Sequence, residues 1–242
     1  MTYTNCRPLR SVLDAVAGNR ITVWAVLCAL LTTTRLFAQV NVWTYRYDNS
    51  RIGLNANETI LTPSLVNTNT FGKLFTCAVD GAMYSQPLYL SGVDVPGVGT
   101  PNVVYLATEH DSLYAFDADN PGAPLWHDIF IHPSRGITNV SPHDVPSAPM
   151  AEMGITSTPV IDTNTLNLYV LVNTVESEKV VYRLYAADAR TGELESNVVV
   201  SATVPGTGDA TDGQGHVVFD PSMHIGRPGL ALVNGQVLLS FG

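Results

Sequence analysis

Short apolar segments separated by polar, glycine-rich and proline-rich stretches make up the chain after residue 40. Many of these segments alternate apolar and polar residues and carry β-branched side chains, a pattern that favours strands over helices. No long amphipathic helical pattern occurs in this part of the sequence. The hydrophobic pattern therefore predicts an all-β fold, with strands within residues 85–90, 102–108, 157–162, 166–174, 226–233 and 236–242.

The same order of elements recurs along the chain. Each unit opens with a proline that leads into an apolar strand, and Pro87, Pro159 and Pro228 are 72 and 69 residues apart. A second apolar strand follows in all three units, and the first two units add a third and a fourth strand. A period of this length predicts one complete β-sheet in each repeat.

The third strands of the first two units end in closely related motifs. Residues 113–118 read LYAFDA and residues 184–189 read LYAADA, at an offset of 71 residues. An aspartate that leaves a strand can accept backbone N–H bonds, and a glycine can adopt φ > 0 in the turn that follows. We therefore predict tight turns at Asp117 with Gly122 and at Asp188 with Gly192, and we expect the aromatic residue after the first turn to pack between adjacent sheets.

Four antiparallel strands per unit, repeated around an axis, are typical of a β-propeller. The sequence therefore predicts an all-β propeller with four-stranded antiparallel blades of about 70 residues, incomplete in this chain. Residues 39–84 would lead into blade-like unit 1 at 85–156, followed by unit 2 at 157–225 and the start of a truncated unit 3 at 226–242. Because closed propellers need about four to eight blades, we expect an N-terminal portion of a longer propeller. A small β-sandwich is the alternative, which the repeat period disfavours.

Residues 1–38 have the layout of a secretory signal peptide. Three arginines precede an eleven-residue apolar run, ITVWAVLCALL, which a polar stretch and the sequence LFAQ follow. The run is shorter than the roughly 20 residues that a membrane-spanning helix needs. We expect cleavage after Ala38, no stable membrane span afterwards, and export to the periplasm, the cell surface or the medium. An uncleaved anchor is the alternative.

The charge of the chain limits its partners. Only 14% of the residues are charged and the formal net charge is −9. Removal of residues 1–38 would leave eight basic and twenty acidic residues, a net charge of −12. A chain this acidic is not expected to bind nucleic acid. Cys77 would be its only cysteine, so no intramolecular disulfide is expected.

The repeat motifs resemble those of a known family. Ala186-x-Asp188-x-x-Thr191-Gly192 is similar to the motif A-x-D-x-x-T-G-x-x-x-W of propellers of the pyrroloquinoline-quinone (PQQ) type, also called quinoprotein-like. Residues 115–126 resemble the same motif with one extra residue in the turn, whereas the second unit has Ser196 in place of the tryptophan. Residues 43–90 also resemble the start of such propellers, so the likeness spans almost the whole chain after the leader.

The resemblance implies a propeller fold and, in its enzymatic members, PQQ with calcium as the cofactor. Such a quinone needs cationic partners, stacking surfaces and usually a Ca²⁺ held by Glu, Asn and Asp oxygens. This chain has few basic residues and no adjacent cysteine pair, and many propellers with this repeat bind no quinone. We therefore predict an exported, non-catalytic module that binds a protein or a glycan. A fragment of a PQQ-dependent alcohol or sugar dehydrogenase and a truncated product without independent function are the alternatives.

No catalytic, cofactor-binding or metal-binding residue is assigned from the sequence. Asp209, Asp212 and Asp220 lie among glycines but do not follow the EF-hand spacing, which favours a solvated loop.

Histidines next to aspartates raise the question of metal or acid–base chemistry in residues 127–154. His127-Asp128, His132 and His143-Asp144 lack a metal-site spacing such as HExxH, and nearby prolines favour an irregular surface connection. Long loops on rigid sheets commonly carry recognition. Residues 127–154 are therefore the segment that we expect to line a binding face.

Overall fold

The strands that the hydrophobic pattern predicts are present, and they pair with antiparallel neighbours. The structure is a computed structural model that describes residues 40–145 and 150–242. Within these ranges the regular elements are thirteen strands and one 3-10 turn, Pro133–Arg135. The predicted signal peptide, residues 1–38, lies outside the described residues, as does Pro146. The described part of the chain is therefore all-β, as predicted.

Four consecutive strands form the first sheet in the order β1-β2-β3-β4. Along β2 the buried side chains alternate with half-buried ones, whereas nearly every residue of the central strand β3 is buried. A strand that is covered on both faces carries such a continuous buried run. The strands are β1 Leu88–Leu90, β2 Val103–Ala107, β3 Ser112–Asp117 and β4 Trp126–Ile129.

The second sheet repeats this order and adds one strand. Its consecutive strands β6, β7, β8 and β9 pair in sequence, and β5 pairs with the far end of β7. The bounds are β5 Ile137–Asn139, β6 Val160–Asp162, β7 Asn167–Glu176, β8 Lys179–Asp188 and β9 Leu194–Val199. The irregular connection predicted over residues 127–154 thus contains a strand, because β7 extends beyond β6 and leaves an edge with which three residues can pair.

The hairpin between β7 and β8 has a long ladder and a short turn. The two strands pair over all ten positions, from Asn167 with Asp188 to Glu176 with Lys179, so the sequence ESEKVV, residues 176–181, lies mostly within the ladder. The additional residues therefore extend the ladder, and only Ser177 and Glu178 form the turn.

Two short hairpins follow the second sheet. One joins β10 Thr203–Pro205 to β11 His216–Val218, and the other joins β12 Ala231–Val233 to β13 Gln236–Leu238. None of the four sheets closes on itself within the described residues. Among those residues, no helix is both long enough and apolar enough to cross a membrane.

The segment before the first sheet runs past the opening strands of all three repeats. Its backbone and side-chain contacts join Val42 to Tyr89 of β1, Trp43 to Ile161 of β6, and Thr44 to Leu230 beside β12. The opening segments also contact each other, because Thr158 accepts the Leu230 N–H through its carbonyl and the Gln86 N–H through its hydroxyl. The first strands of the repeats therefore gather around residues 42–44.

Trp126 connects the first sheet to the second through a hydrogen bond and ring packing. Its indole N–H donates to the carbonyl of Ala189 at 3.1 Å, and the Tyr105 hydroxyl donates to the same oxygen at 3.0 Å. A Cβ on Gly192 would lie 2.8 Å from the Trp126 ring, so glycine lets the indole approach the turn. This confirms that the aromatic residue after the first turn packs between the sheets.

The two predicted turns differ in their glycines. Asp117 and Asp188 both accept backbone N–H bonds through their carboxylates, as predicted. Gly192 has φ 77° in the second turn, whereas Gly122 does not have a positive φ. The prediction for Gly122 is therefore wrong. The first turn has one extra residue, and the Asp117 carboxylate accepts the backbone N–H groups of both Asp119 and Asn120.

Candidate functional site

The connection from β4 to β6 folds against the end of the first sheet. Val140 pairs with Met153 across the connection, and a small apolar cluster that includes Val145 packs against Val175 and Val180 of the second sheet. The end of the connection continues into Gly154 and Thr156, which contact the turn between β2 and β3. The connection is therefore anchored to both sheets.

Two adjoining cavities lie beside this connection and share Tyr84 and Met150. The larger has a volume of about 510 Å³ and the smaller about 330 Å³. We call the pair the tyrosine cleft, with a larger and a smaller lobe. The larger lobe is lined by residues that include Tyr45, Thr156, Thr158 and Arg227. The smaller lobe is lined by Ala82, Tyr84, Glu109, Met150, Ala151 and Glu152.

The two tyrosines present aromatic surface to the cleft. Tyr84 is 59% exposed, and it contributes to both lobes. Arg46 and Arg51 lie 5.4 and 5.8 Å from the centre of the Tyr45 ring, within cation–π distance. The Arg51 guanidinium also donates to the carbonyl of Gly229 at 3.1 Å, which holds it in place.

The Thr108 N–H donates to the Ser112 carbonyl, so residues 109–111 form a three-residue loop at the tip of the β2–β3 hairpin. Glu109 lines the smaller lobe, and Asp111 has φ 55°. Aspartate tolerates this left-handed conformation better than most residues, and hairpins with three-residue loops commonly need it at the last position. Asp80 braces both ends of the turn, because its carboxylate accepts from the hydroxyls of Thr108 at 2.8 Å and Ser112 at 2.6 Å.

Glu109 is one of the residues that line the smaller lobe, and its carboxylate has an incomplete set of hydrogen-bond partners. The residue is 1% exposed, and Oε2 accepts the Gly154 N–H at 2.8 Å and the Thr156 hydroxyl at 3.0 Å. Its other carboxylate oxygen, Oε1, is buried without a hydrogen-bond partner. Burial raises the pKa of Glu109, which the two hydrogen bonds only partly oppose.

Asp111 is a second buried carboxylate in the same turn. Oδ2 accepts from the Asn139 side chain at 3.1 Å, and Oδ1 has no hydrogen-bond partner. Burial, followed by the charge of Glu109, raises the pKa of Asp111 well above its ordinary value. Asn139 also donates to the Glu109 carbonyl at 3.2 Å, so strand β5 contacts both acidic residues.

Gly154 permits the close approach of the connection to this turn. A Cβ at this position would lie 2.5 Å from the Glu109 carbonyl oxygen and 2.7 Å from Oδ1 of Asp111. Nearby, Nδ1 of His110 lies 3.1 Å from Oε2 of Glu152. Glu152 is 43% exposed at its side chain and lines the smaller lobe.

The structure separates the histidines and aspartates that the sequence analysis singled out in residues 127–154. His127 and Asp128 were expected in an irregular loop, but they lie on β4. The His127 ring stacks on Tyr114 with ring centres 4.0 Å apart. His132 pairs with Ile137 through its backbone, and His143 is almost fully exposed.

The aspartates of residues 208–220 also fail to converge on a site. Asp212 accepts from Gln214 and His216 within its own loop, and Asp220 accepts from Ser222. In residues 40–145 and 150–242 there is no group of three or more His, Cys, Asp and Glu side chains that could hold a metal ion. Asp212 and Asp220 therefore stabilise their own turns.

A binding face was expected along residues 127–154, and Met150 and Glu152 of that segment line the smaller lobe. Tyr84, Glu109 and Asp111 were not predicted. The acid–His–acid order of residues 109–111, directly between two apolar strands, is the pattern that could have pointed to them. What it could not show is the burial of the two carboxylates.

Comparisons with known proteins add no family assignment. No protein-family model matches the sequence, and no curated protein matches it closely enough to count as a relative. The likeness to quinoprotein-like propellers therefore depends on the repeat motifs themselves.

Proposed function

We propose that this chain is an exported module of the β-propeller type that binds a glycan in the tyrosine cleft and catalyses no reaction. Export is inferred from the leader pattern of residues 1–38. The propeller is supported by two successive four-stranded ladders, by the Trp126 contact between them, and by the opening strands that gather around residues 42–44.

The observation that carries the binding proposal is a cleft that two tyrosines line together with polar side chains. Ligand sites are concave, and they combine aromatic surface with a few converging polar groups. The tyrosine cleft has this character, because Tyr45 and Tyr84 accompany the hydroxyls of Thr156 and Thr158. A sugar ring presents C–H groups on its faces and hydroxyls at its edges, so it matches aromatic surface flanked by hydrogen-bonding side chains. This chemistry favours a glycan over an apolar peptide.

The smaller lobe does not fit PQQ. A tricarboxylate quinone needs cations around it, whereas the described lining of this lobe carries Glu109 and Glu152 and no lysine or arginine. Arg227 lines the larger lobe, and Arg46 and Arg51 lie beside the Tyr45 ring, which also lines it. The acidic smaller lobe gives no support for quinone chemistry in the cleft, and the proposed role is binding.

Glycan binding can be tested with an immobilised full-length protein and a panel of soluble oligosaccharides. Tyr84→Ala removes an exposed ring shared by both lobes, and we expect it to weaken binding by about tenfold or more. Phe71→Ala is the matched control, since Phe71 is 56% exposed and does not line the cleft. Equal binding by the Tyr84→Ala variant and the wild type would place the ligand elsewhere and reject the cleft as the site.

A further inference from the structure

We propose that the larger lobe of the tyrosine cleft selects an acidic sugar, a uronic acid whose carboxylate binds to the Arg227 side chain. The inference rests on the proposed function, because it names the class of glycan for the same cleft. It is carried by the distribution of charge around this lobe. Arg227 lines the lobe and is exposed, and the described lining contains no aspartate or glutamate.

Arginines are concentrated at the larger lobe although the chain as a whole is acidic. Of the eight lysines and arginines that follow residue 38, three lie at or beside it. Arg227 belongs to its lining, whereas Arg46 and Arg51 adjoin the ring of Tyr45, another lining residue. The Arg51 guanidinium also donates to the carbonyl of Gly229, which lines the lobe as well. Two further positive charges therefore adjoin the wall of the lobe.

The three arginines at this lobe lack an acidic partner. Among the described residues, no carboxylate lies within 4.0 Å of their guanidinium groups. The guanidinium groups of Arg183 and Arg190, in contrast, each pair with a carboxylate, at 2.6 and 2.5 Å. A sugar carboxylate can therefore bind to Arg227 without displacing an ion pair within the described part of the chain.

The polar groups of the lobe match the rest of such a ligand. The Arg227 guanidinium presents paired N–H donors that fit the two oxygens of a carboxylate. The Thr156 hydroxyl donates to Glu109, and its oxygen can still accept from a sugar hydroxyl. The Thr158 hydroxyl accepts the Gln86 N–H, and its own O–H can still donate. The volume of about 510 Å³ is within the usual range for a small-molecule site.

The acidic smaller lobe determines the direction in which the ligand lies. Glu152 is 43% exposed at its side chain and repels a carboxylate, so the acidic group is placed at Arg227 and the uncharged hydroxyls lie towards Tyr84. The net charge of −9 disfavours anions in general. Exposed charges more than about 10 Å apart are largely screened at 0.1 M salt, however, so the nearby arginines dominate at the larger lobe.

The test compares a tetramer of galacturonic acid with its fully methyl-esterified counterpart, which has the same sugar backbone and no charge. Isothermal titration calorimetry with the full-length protein measures both affinities. We expect the acidic tetramer to bind at least about tenfold more tightly, and Arg227→Gln to remove most of this difference. Arg227→Lys keeps the charge but loses the paired donors, so it should retain part of the preference.

Two controls separate a specific contact from a general effect of charge. Arg135→Gln is the matched control, because Arg135 is exposed and is not among the lining residues of either lobe, and it should bind as the wild type does. An increase in NaCl from about 0.05 M to about 0.5 M should weaken binding of the acidic tetramer and leave that of the ester nearly unchanged, because salt screens the charges.

The outcomes distinguish failure of the inference from failure of the proposed function. Equal affinity for both tetramers leaves glycan binding in place and overturns the acidic-sugar inference. A preference for the acidic tetramer that Arg227→Gln does not reduce also overturns it. Binding of a tetraglutamate peptide, with no binding of any oligosaccharide, overturns the inference and the glycan function together. A preference that Arg227→Gln abolishes and Arg135→Gln preserves supports it.

Discussion

Two hairpin turns occupy equivalent places in the two large sheets, yet they differ in almost every physical respect. The turn between β2 and β3 contains Glu109 and Asp111, whose side chains are buried. The turn between β7 and β8 consists of Ser177 and Glu178, both exposed, with φ values of 50° and 65°. Both turns are polar and acidic in sequence. Among the described residues, another part of the chain covers the first turn but not the second.

The difference shows that burial of the carboxylates is imposed from outside the hairpin. The covering group is the connection from β4 to β6, which donates the Gly154 N–H to Glu109 and places Asn139 beside Asp111. In contrast, the described residues leave Ser177 and Glu178 of the second turn exposed. An acidic turn therefore becomes a candidate site only where a neighbouring segment removes its solvent and leaves an acceptor unpaired.

The largest expected effect on stability comes from disrupting the contact between the β4–β6 connection and the turn between β2 and β3. Gly154→Ala would place a methyl group 2.5 Å from the Glu109 carbonyl oxygen, which is backbone and cannot move aside. Overpacking of this kind costs about 2–3 kcal/mol of unfolding free energy. Urea unfolding followed by tryptophan fluorescence measures the change. Gly122→Ala is the matched control, because a Cβ there meets no atom within 4 Å. A Gly154→Ala variant as stable as Gly122→Ala would show that the contact does not hold the turn.

The second-largest effect is expected in the pH dependence of the unfolding free energy. Folding raises the pKa of Glu109 and of Asp111, so the native state binds more protons than the unfolded state between the ordinary and the raised pKa values. The contribution of this pair to stability is therefore greatest at acidic pH and is lost as the pH rises through the raised pKa values. In the double variant Glu109→Gln with Asp111→Asn this contribution disappears.

Urea unfolding of the wild type and the double variant between about pH 4 and about pH 8 checks this sign. We expect the double variant to gain stability relative to the wild type as the pH rises. Comparison of the two proteins cancels the other carboxylates, such as Asp188, whose pKa is lowered by Arg190. A stability difference that does not change with pH would mean that the two acids titrate normally in the folded protein.

The smallest effect is expected at the exposed turn. Ser177 and Glu178 both have positive φ, as the central residues of a type I′ turn do. Ser177→Asn with Glu178→Gly introduces the residues that this turn favours, and we expect a gain of about 1 kcal/mol in unfolding free energy. Thermal unfolding is sufficient to detect it. A loss of stability would indicate that the side chains of this turn make contacts as those of the first turn do.

Strand positions were predictable because each strand carries its own pattern. The repeated LYAxDA motifs fall on β3 and β8, and the turns that follow use Asp117 and Asp188 as acceptors. Strand β5 was not predictable, since its three residues show no alternation and pair only because β7 offers a free edge. The conformation of Gly122 was also missed, because one inserted residue changes which position of a turn needs a positive φ.

The sequence by itself determined the all-β class, the repeat period and the residues that form the ladders, because alternation and turn chemistry act between neighbours along the chain. Only the tertiary structure decided that Tyr84, Glu109 and Glu152 share one lobe and that one carboxylate oxygen of Glu109 is buried without a hydrogen-bond partner. Glu109 and Gly154 are 45 positions apart. Their contact depends on how the β4–β6 connection folds over the first sheet. This contact excludes solvent from the Glu109 carboxylate, and a local pattern of polar and apolar residues cannot predict it.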